Sequence, residues 1–115
     1  MMQDCLFCKI ANEELDTDFV YQDDKVVVFK DINPQAPVHL LIVPRKHIPT
    51  ILDLKEEDKE LVGYIYLLAA RLAREEGIAE DGFRVVSNCN EQGGQTVFHI
   101  HFHLLGGRNL QWPPG

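Results

Sequence analysis

Long apolar runs are missing from this chain. Its most hydrophobic segments, Leu40–Val43 and Tyr64–Ala70, fall far short of the roughly 18–20 consecutive residues that a membrane-spanning helix needs, so no membrane partner is expected. Basic residues are in the minority, with 11 Lys and Arg against 18 Asp and Glu and a formal net charge of −7. That balance excludes a counterion-release grip on a nucleic-acid polymer, but leaves room for a small phosphorylated ligand held by a few local donors. The N-terminal run Met1-Met2-Gln3-Asp4-Cys5-Leu6 has no basic stretch leading into an apolar one, so neither a signal nor a transit peptide is expected and the chain is expected to be cytoplasmic. Cysteines number only three, an odd count that argues against a disulfide framework and turns attention to the Cys5-x-x-Cys8 pair, with Cys89 left as an inert remainder. No internal repeat and no low-complexity tract interrupts the chain, and its Pro and Gly residues are short punctuations.

What is present is ordinary globular material: 115 residues, 45% hydrophobic and 25% charged, enough for one compact domain over residues 1–115 with room for self-association. A short helix of two or three turns is expected from about Asp4 to Asn12. Phe19–Gln22 and Lys25–Lys30, rich in Val, Phe and Tyr around Asp23-Asp24, read as a hairpin. Val38–Val43, bounded by Pro37 and Pro44, reads as a third strand. Asp53 followed by Glu56 has capping-box spacing, Gly77 suits a helix C-terminus, and Leu61, Ile65, Leu68 and Leu72 recur at helical period between them, which predicts a long helix. Phe83–Asn88 and Phe98–Leu105 complete five strands with short connections. The expected architecture is α+β: a mainly antiparallel five-stranded sheet with one long and one short helix.

The chemistry concentrates in His99-Ile100-His101-Phe102-His103-Leu104-Leu105. On a strand, alternation projects the three imidazoles from one face at about 7 Å intervals while Ile100, Phe102 and Leu104 point into the core. Groups that titrate near neutrality, clustered this way, mark a site. Just upstream, Asn88-Cys89-Asn90-Glu91-Gln92-Gly93-Gly94-Gln95-Thr96 offers glycines that let backbone N–H groups approach an anion, with Gln95 and Thr96 adding side-chain donors. His-x-His on a strand also builds zinc-hydrolase and cupin sites when an Asp or Glu completes the ligand set; the phosphate-cradling loop argues against that reading.

These two segments, together with Asp31-Ile32-Asn33-Pro34-Gln35-Ala36-Pro37-Val38-His39, resemble the histidine-triad family, most closely its Hint branch of nucleotide-binding proteins. The likeness runs from Cys5 to Trp112-Pro113-Pro114-Gly115. It implies a purine nucleoside phosphoramidase that cleaves the P–N bond of an adenosine monophosphate amide through a nucleotidyl-histidine intermediate, or, as the alternative, a nucleotide-binding regulatory module in which turnover is incidental. By the same resemblance His101 is the nucleophile, with His99, His103 and His39 completing the catalytic group. His103 and Thr96 would contact the α-phosphate or leaving group, Gly94, Gln95 and Asn88 the phosphate, and Asp31 and Ile32 the nucleoside. Phe7, Ile10 and Phe29 would wall the base pocket; without the family they read as ordinary core, and Asp31 as a turn-former.

The broad apolar face of Leu61–Ala73 and Phe83–Asn88 points to a homodimer, for which the resemblance implies a ten-stranded sheet across a two-fold axis; the tail Asn109–Pro114 with Trp112, rich in Trp and Pro, is expected to pack near the partner's active site. The resemblance also implies that no cofactor is required for catalysis. Cys5 and Cys8 have the spacing of a zinc half-site; in some relatives such a pair is completed by the counterparts of His47 and His99, which would make a structural zinc site. Two buried thiols with His47 exposed is the competing reading. The expected partners are a purine nucleotide or nucleoside phosphoramidate and a second copy of the chain.

Overall fold

Among the described residues, five strands and three α-helices follow in the order α1 (Leu6–Ala11), β1 (Phe19–Gln22), β2 (Val26–Lys30), β3 (Val38–Pro44), α2 (Lys59–Glu75), β4 (Phe83–Val86), α3 (Asn90–Gly93) and β5 (Phe102–Gly106). The computed structural model describes residues 4–115; Met1–Gln3, where the segment read for a leader begins, lie outside the described residues. The strands form one sheet in the order β1-β2-β3-β5-β4, and every neighbouring pair is antiparallel. This is the expected five-stranded antiparallel α+β architecture. Among the described residues no helix is long and apolar enough to cross a membrane.

Strand alternation divides the apolar residues between two layers. Val26, Val28, Leu40, Ile42, Phe102 and Leu104 turn to one face, where Ile65, Leu68 and Leu72 of α2 cover them. Val27, Phe29, Leu41 and Val43 turn to the other, where Phe7, Ile10 and Ala11 of α1 cover them. Because β2 and β3 are buried on both faces, they read in the sequence as unbroken apolar runs. The short helix thus sits on the face that carries His39 and His103.

Three boundaries differ from expectation, each for a local reason. Helix α1 is only six residues, because Cys5 is already its N-cap: its Sγ accepts the N–H of Cys8 at 3.3 Å. Asp53 does not cap a long helix with Glu56. It reaches back instead, its Oδ2 accepting from Thr50 N at 3.1 Å and Thr50 Oγ1 at 2.8 Å around a 3₁₀ turn. Helix α2 therefore begins only at Lys59, after a second 3₁₀ turn in which Asp58 accepts from the Lys55 N–H at 2.9 Å, and it ends as foreseen with Gly77 at a left-handed φ of 76°. The third difference matters most. β4 ends at Val86 and β5 begins at Phe102, so His99 and His101 lie outside the sheet: pairing with β3 stops at Ile42–Phe102 although β3 runs on to Pro44, and the Ile100 N–H turns instead to the Ile48 carbonyl.

The β1–β2 turn is tied to α2 by one carboxylate. Asp23 Oδ1 accepts the N–H groups of Lys25 and Val26, each at 2.8 Å, and Oδ2 accepts the hydroxyls of Tyr21 at 2.9 Å and of Tyr64. Burial alone would push this carboxyl up, but the Tyr64 hydroxyl, the two N–H groups and the Tyr21 hydroxyl hold it down at about 2. A carboxyl depressed in the folded state contributes stability above its unfolded value near 4 and loses it as pH falls through about 2. Tyr64→Phe should therefore cost about 1–2 kcal/mol at neutral pH and move the onset of acid unfolding to higher pH. Circular-dichroism melts between pH 2 and 7 check this; an unchanged acid limb would refute it.

Candidate active site

Four histidines converge on the α1 face, and three of them, His39, His99 and His101, have one ring nitrogen held by a main-chain group that can only donate or only accept. The Gln35 N–H donates to His39 Nδ1 at 3.0 Å, so neutral His39 carries its proton on Nε2. That Nε2 lies 2.9 Å from His103 Nδ1 and 3.3 Å from Asp31 Oδ2. His103 accordingly accepts at Nδ1 and holds its own proton on Nε2. His101 Nδ1 lies 2.8 Å from the carbonyl of His99, which can only accept, so His101 keeps its proton on Nδ1 and its lone pair on Nε2. His99 Nε2 lies 2.7 Å from the carbonyl of Pro44, which places the His99 lone pair on Nδ1.

Burial keeps these rings neutral. It lowers His103 to about 4, with help from the neighbouring His101 and His39. It also lowers His99 to about 4, against the opposing pull of the Pro44 carbonyl. His101 and His39 move down for the same first reason, Asp31 resisting in both cases. An uncharged imidazole with a directed lone pair is a nucleophile at neutral pH.

The rings of His101 and His103 stand 5.1 Å apart, and with Phe7, Ile10, Phe29, Asp31, Ile32 and Thr96 they line a pocket of about 400 Å³, ordinary for a small-molecule site. Asp31 serves both the turn and the site: Oδ1 accepts the Asn33 N–H at 2.8 Å, while Oδ2 faces His39 and His103. Asp31, His39 and His103 have the composition of a two-histidine, one-carboxylate metal triad. The Gln35 N–H argues against that use, because it leaves His39 Nε2 with a proton where a ligand needs a lone pair.

Not every expected residue meets in the pocket. His99 does not project in register with His101 and His103: outside the sheet its ring turns towards Cys5, Cys8 and His47. Gln95 was expected to donate to phosphate, but its side chain is fully committed. Nε2 donates to the carbonyls of Pro49 at 2.8 Å and Val97 at 3.0 Å, and Oε1 accepts the Asn90 N–H at 2.8 Å. It is a strut under the loop. That loop is also not a plain turn, since Asn90–Gly93 forms the helical turn α3, closed by Gly94 at a φ of 89° with the Asn88 amide beside it. Neither Asn88 nor Gly94 lines the pocket, and Trp112, 81% exposed, stands apart from the pocket of its own chain. Leu6, Lys30, Leu41 and Val97 line it without having been singled out; only Lys30, next to Asp31, carried any signal.

A second group forms behind Phe7, whose ring packs edge-on against both His99 and His101, centroids 6.1 and 4.9 Å away. His99 Nδ1 lies 3.3 Å from Cys5 Sγ, 3.4 Å from Cys8 Sγ and 3.2 Å from His47 Nδ1, and Cys8 Sγ lies 3.2 Å from His47 Nδ1. One lone pair cannot accept from three neighbours, whereas a tetrahedral zinc with ordinary bond lengths has ligand–ligand edges of about 3.3–3.8 Å. The donor set fits such an ion, and the Pro44 carbonyl on His99 Nε2 is the outer partner that a ligating histidine needs. Burial and the adjacent Cys5 push the Cys8 thiol up to about 11; a bound cation would reverse that shift. Cys89 is free and half-buried, away from this group.

Residues 12–110 match the family model of the HIT domain. The chain is 51% identical over 110 residues to the purine nucleoside phosphoramidase of Escherichia coli (strain K12), covering 96% of this chain and 92% of that protein. It is 46% identical over 112 residues to the 14 kDa zinc-binding protein of Zea mays, covering 96% and 87% respectively. Among solved structures, a HIT family hydrolase from Legionella pneumophila Philadelphia 1 superimposes with a TM-score of 0.94 at 54% identity, covering 96% of this chain and 99% of that one.

The proton placement is directly measurable. A histidine titrating near 6.5 when unfolded and near 4 when folded makes the fold less stable as pH falls between those values, because only the unfolded chain takes up the proton. Nitrogen-15 NMR should find His103 neutral at pH 6, protonated on Nε2, and charging only near pH 4. A transition near the ordinary value would contradict the relay from Gln35.

Proposed function

This chain belongs to the HIT domain family, and on that premise we propose that it is a purine nucleoside phosphoramidase acting on adenosine 5′-monophosphoramidates through a nucleotidyl-histidine intermediate. The observation that carries the reading is the bond from His101 Nδ1 to the His99 carbonyl, which leaves the Nε2 lone pair beside the pocket. His101 Nε2 attacks phosphorus and the P–N bond breaks, the amine departing with a proton taken from solvent, which the water of the second displacement returns. Water then displaces His101 from phosphorus to release the monophosphate. His103 supports both displacements with its Nε2–H, which the chain from Gln35 through His39 makes a donor towards a phosphate oxygen. Thr96, exposed at the pocket rim, adds a hydroxyl for the same group. Phe7, Ile10, Phe29 and Ile32 offer the apolar surface that a purine needs, and Asp31 is the acceptor for ribose hydroxyls. The name of the 51%-identical relative from Escherichia coli supports the substrate class.

His101→Ala should retain the fold and bind AMP while losing phosphoramidate hydrolysis by on the order of a thousandfold or more. Mass spectrometry of wild-type protein quenched during turnover should find the nucleotidyl adduct on His101. Turnover by the alanine variant would overturn the mechanism.

We further propose that Cys5, Cys8, His47 and His99 hold a structural zinc ion that ties α1 to the segment carrying the nucleophile, with no part in the bond-breaking step. The printed name of the Zea mays relative supports zinc as the metal, and the free thiols suit a reducing, cytoplasmic setting. We also propose a homodimer. β4 is an edge strand with unpaired backbone groups; its own Phe83 is 38% exposed, and Tyr66 and Leu67 of α2 are 50% and 74% exposed. A second copy across a two-fold axis would pair the two β4 edges into ten strands and bring the Trp112 tail towards the partner's pocket. Native mass spectrometry of protein purified without chelator tests both: the expected species is a dimer with one zinc per chain. A monomer at micromolar concentration would defeat the dimer, and a metal-free mass would defeat the zinc assignment.

A further inference from the structure

The ladders that hold β5 stop short of the nucleophile. On one side the last pair is Ile42 with Phe102, on the other Val86 with His103. His101 is buried yet lies just outside both, so its carbonyl must find a partner elsewhere. That partner is Ser87, the residue immediately after β4, whose hydroxyl donates to the His101 carbonyl at 3.0 Å. The preceding residue is held from the other side, where the Ile100 N–H donates to the Ile48 carbonyl at 2.6 Å.

We propose that Ser87 is a positioning residue for the displacement at phosphorus, clipping the His101 peptide to the end of β4 so that the Nε2 lone pair keeps its aim. The proposal rests on the reading of His101 as nucleophile. The bond from His101 Nδ1 to the His99 carbonyl sets the ring's orientation relative to residue 99 alone. Phe7 packs against the ring edge-on at 4.9 Å, which limits its travel without giving it a direction. The peptide link to Phe102 joins His101 to β5 on one side only; the Ser87 bond adds a second tie, from the His101 carbonyl to the end of β4. The Ser87 hydroxyl therefore fixes the height of the His101 peptide against the end of β4, and displacement rates fall steeply with small misplacements. Ser87 does not line the pocket, so its loss should act on the chemical step and spare nucleotide binding.

The test compares Ser87→Ala, Ser87→Thr and His101→Ala with wild-type protein, using adenosine 5′-phosphoramidate as substrate and AMP as ligand. Ser87→Ala should lower kcat about tenfold, with KM and AMP affinity within about twofold of wild type. Ser87→Thr, which keeps the hydroxyl, should recover most of that loss. Nitrogen-15 NMR supplies the readout that a merely structural serine would not move: His101 should hold its proton on Nδ1 in wild type and Ser87→Thr, and populate the Nε2 tautomer in Ser87→Ala. Should Ser87→Ala fail to fold, Ser87→Cys, nearly isosteric and a weaker donor, must show the same kcat loss and tautomer shift. If kcat for the folded variant stays within about twofold of wild type while His101→Ala is inert, the clip is overturned and the nucleophile stands. A kcat loss that threonine does not rescue, with the tautomer unchanged, overturns it equally. Turnover by His101→Ala would instead remove the reading on which the clip rests.

Discussion

A neutral imidazole has two nitrogens and one proton, and the site depends on where the main chain makes each proton sit. The carbonyls of Pro44 and His99 can only accept, and the N–H of Gln35 can only donate, so His99, His101 and His39 are assigned without reference to any ligand. His103 follows from His39. The outcome is one lone pair beside the pocket, one N–H beside it, and one lone pair turned towards two thiols and a second imidazole. Backbone groups are suited to this task because they do not titrate.

Burial makes the arrangement work at neutral pH. In water an imidazole titrates near 6.5, and a partly charged set of rings would repel one another and lose their lone pairs. Here burial is the first cause of the depression at each of His39, His99, His101 and His103. The carboxylate of Asp31, which works against that depression at three of them, is also tied into its own turn by the Asn33 N–H.

Helix α1 joins two functions despite its short length. Cys5 and Cys8 face the metal-type donor set, whereas Phe7 and Ile10 line the pocket. Phe7 touches the rings of both His99 and His101. Arg45 secures the end of the same helix, reaching the Ala11 carbonyl while its Nε donates to the Asp23 carbonyl at 2.7 Å. The hairpin turn that Asp23 anchors to α2 is thereby connected to the helix over the site, so the two faces of the sheet are mechanically joined.

Alternating and helical periodicities are local properties, and they made the five strands, the long helix and their antiparallel arrangement legible in the sequence. His-x-His-x-His and Cys-x-x-Cys are compact patterns, so the chemistry of the site was legible with them. Two things depended on residues far apart in the chain. The first was where the β5 ladder stops: pairing ends at Phe102 on the β3 side and at His103 on the β4 side, the Ile100 N–H goes to the Ile48 carbonyl, and His99 leaves the row in which alternation alone would have placed it, to meet Cys5, Cys8 and His47. The second was which donors were already engaged. Gln95 looks like a phosphate ligand in the sequence, but its amide is committed to Pro49, Val97 and Asn90; Ser87 looks like an ordinary strand residue, but it holds the His101 carbonyl. Main-chain partners leave no pattern in side-chain identity, and a hydrogen bond between distant segments exists only once the sheet has brought them to about 3 Å.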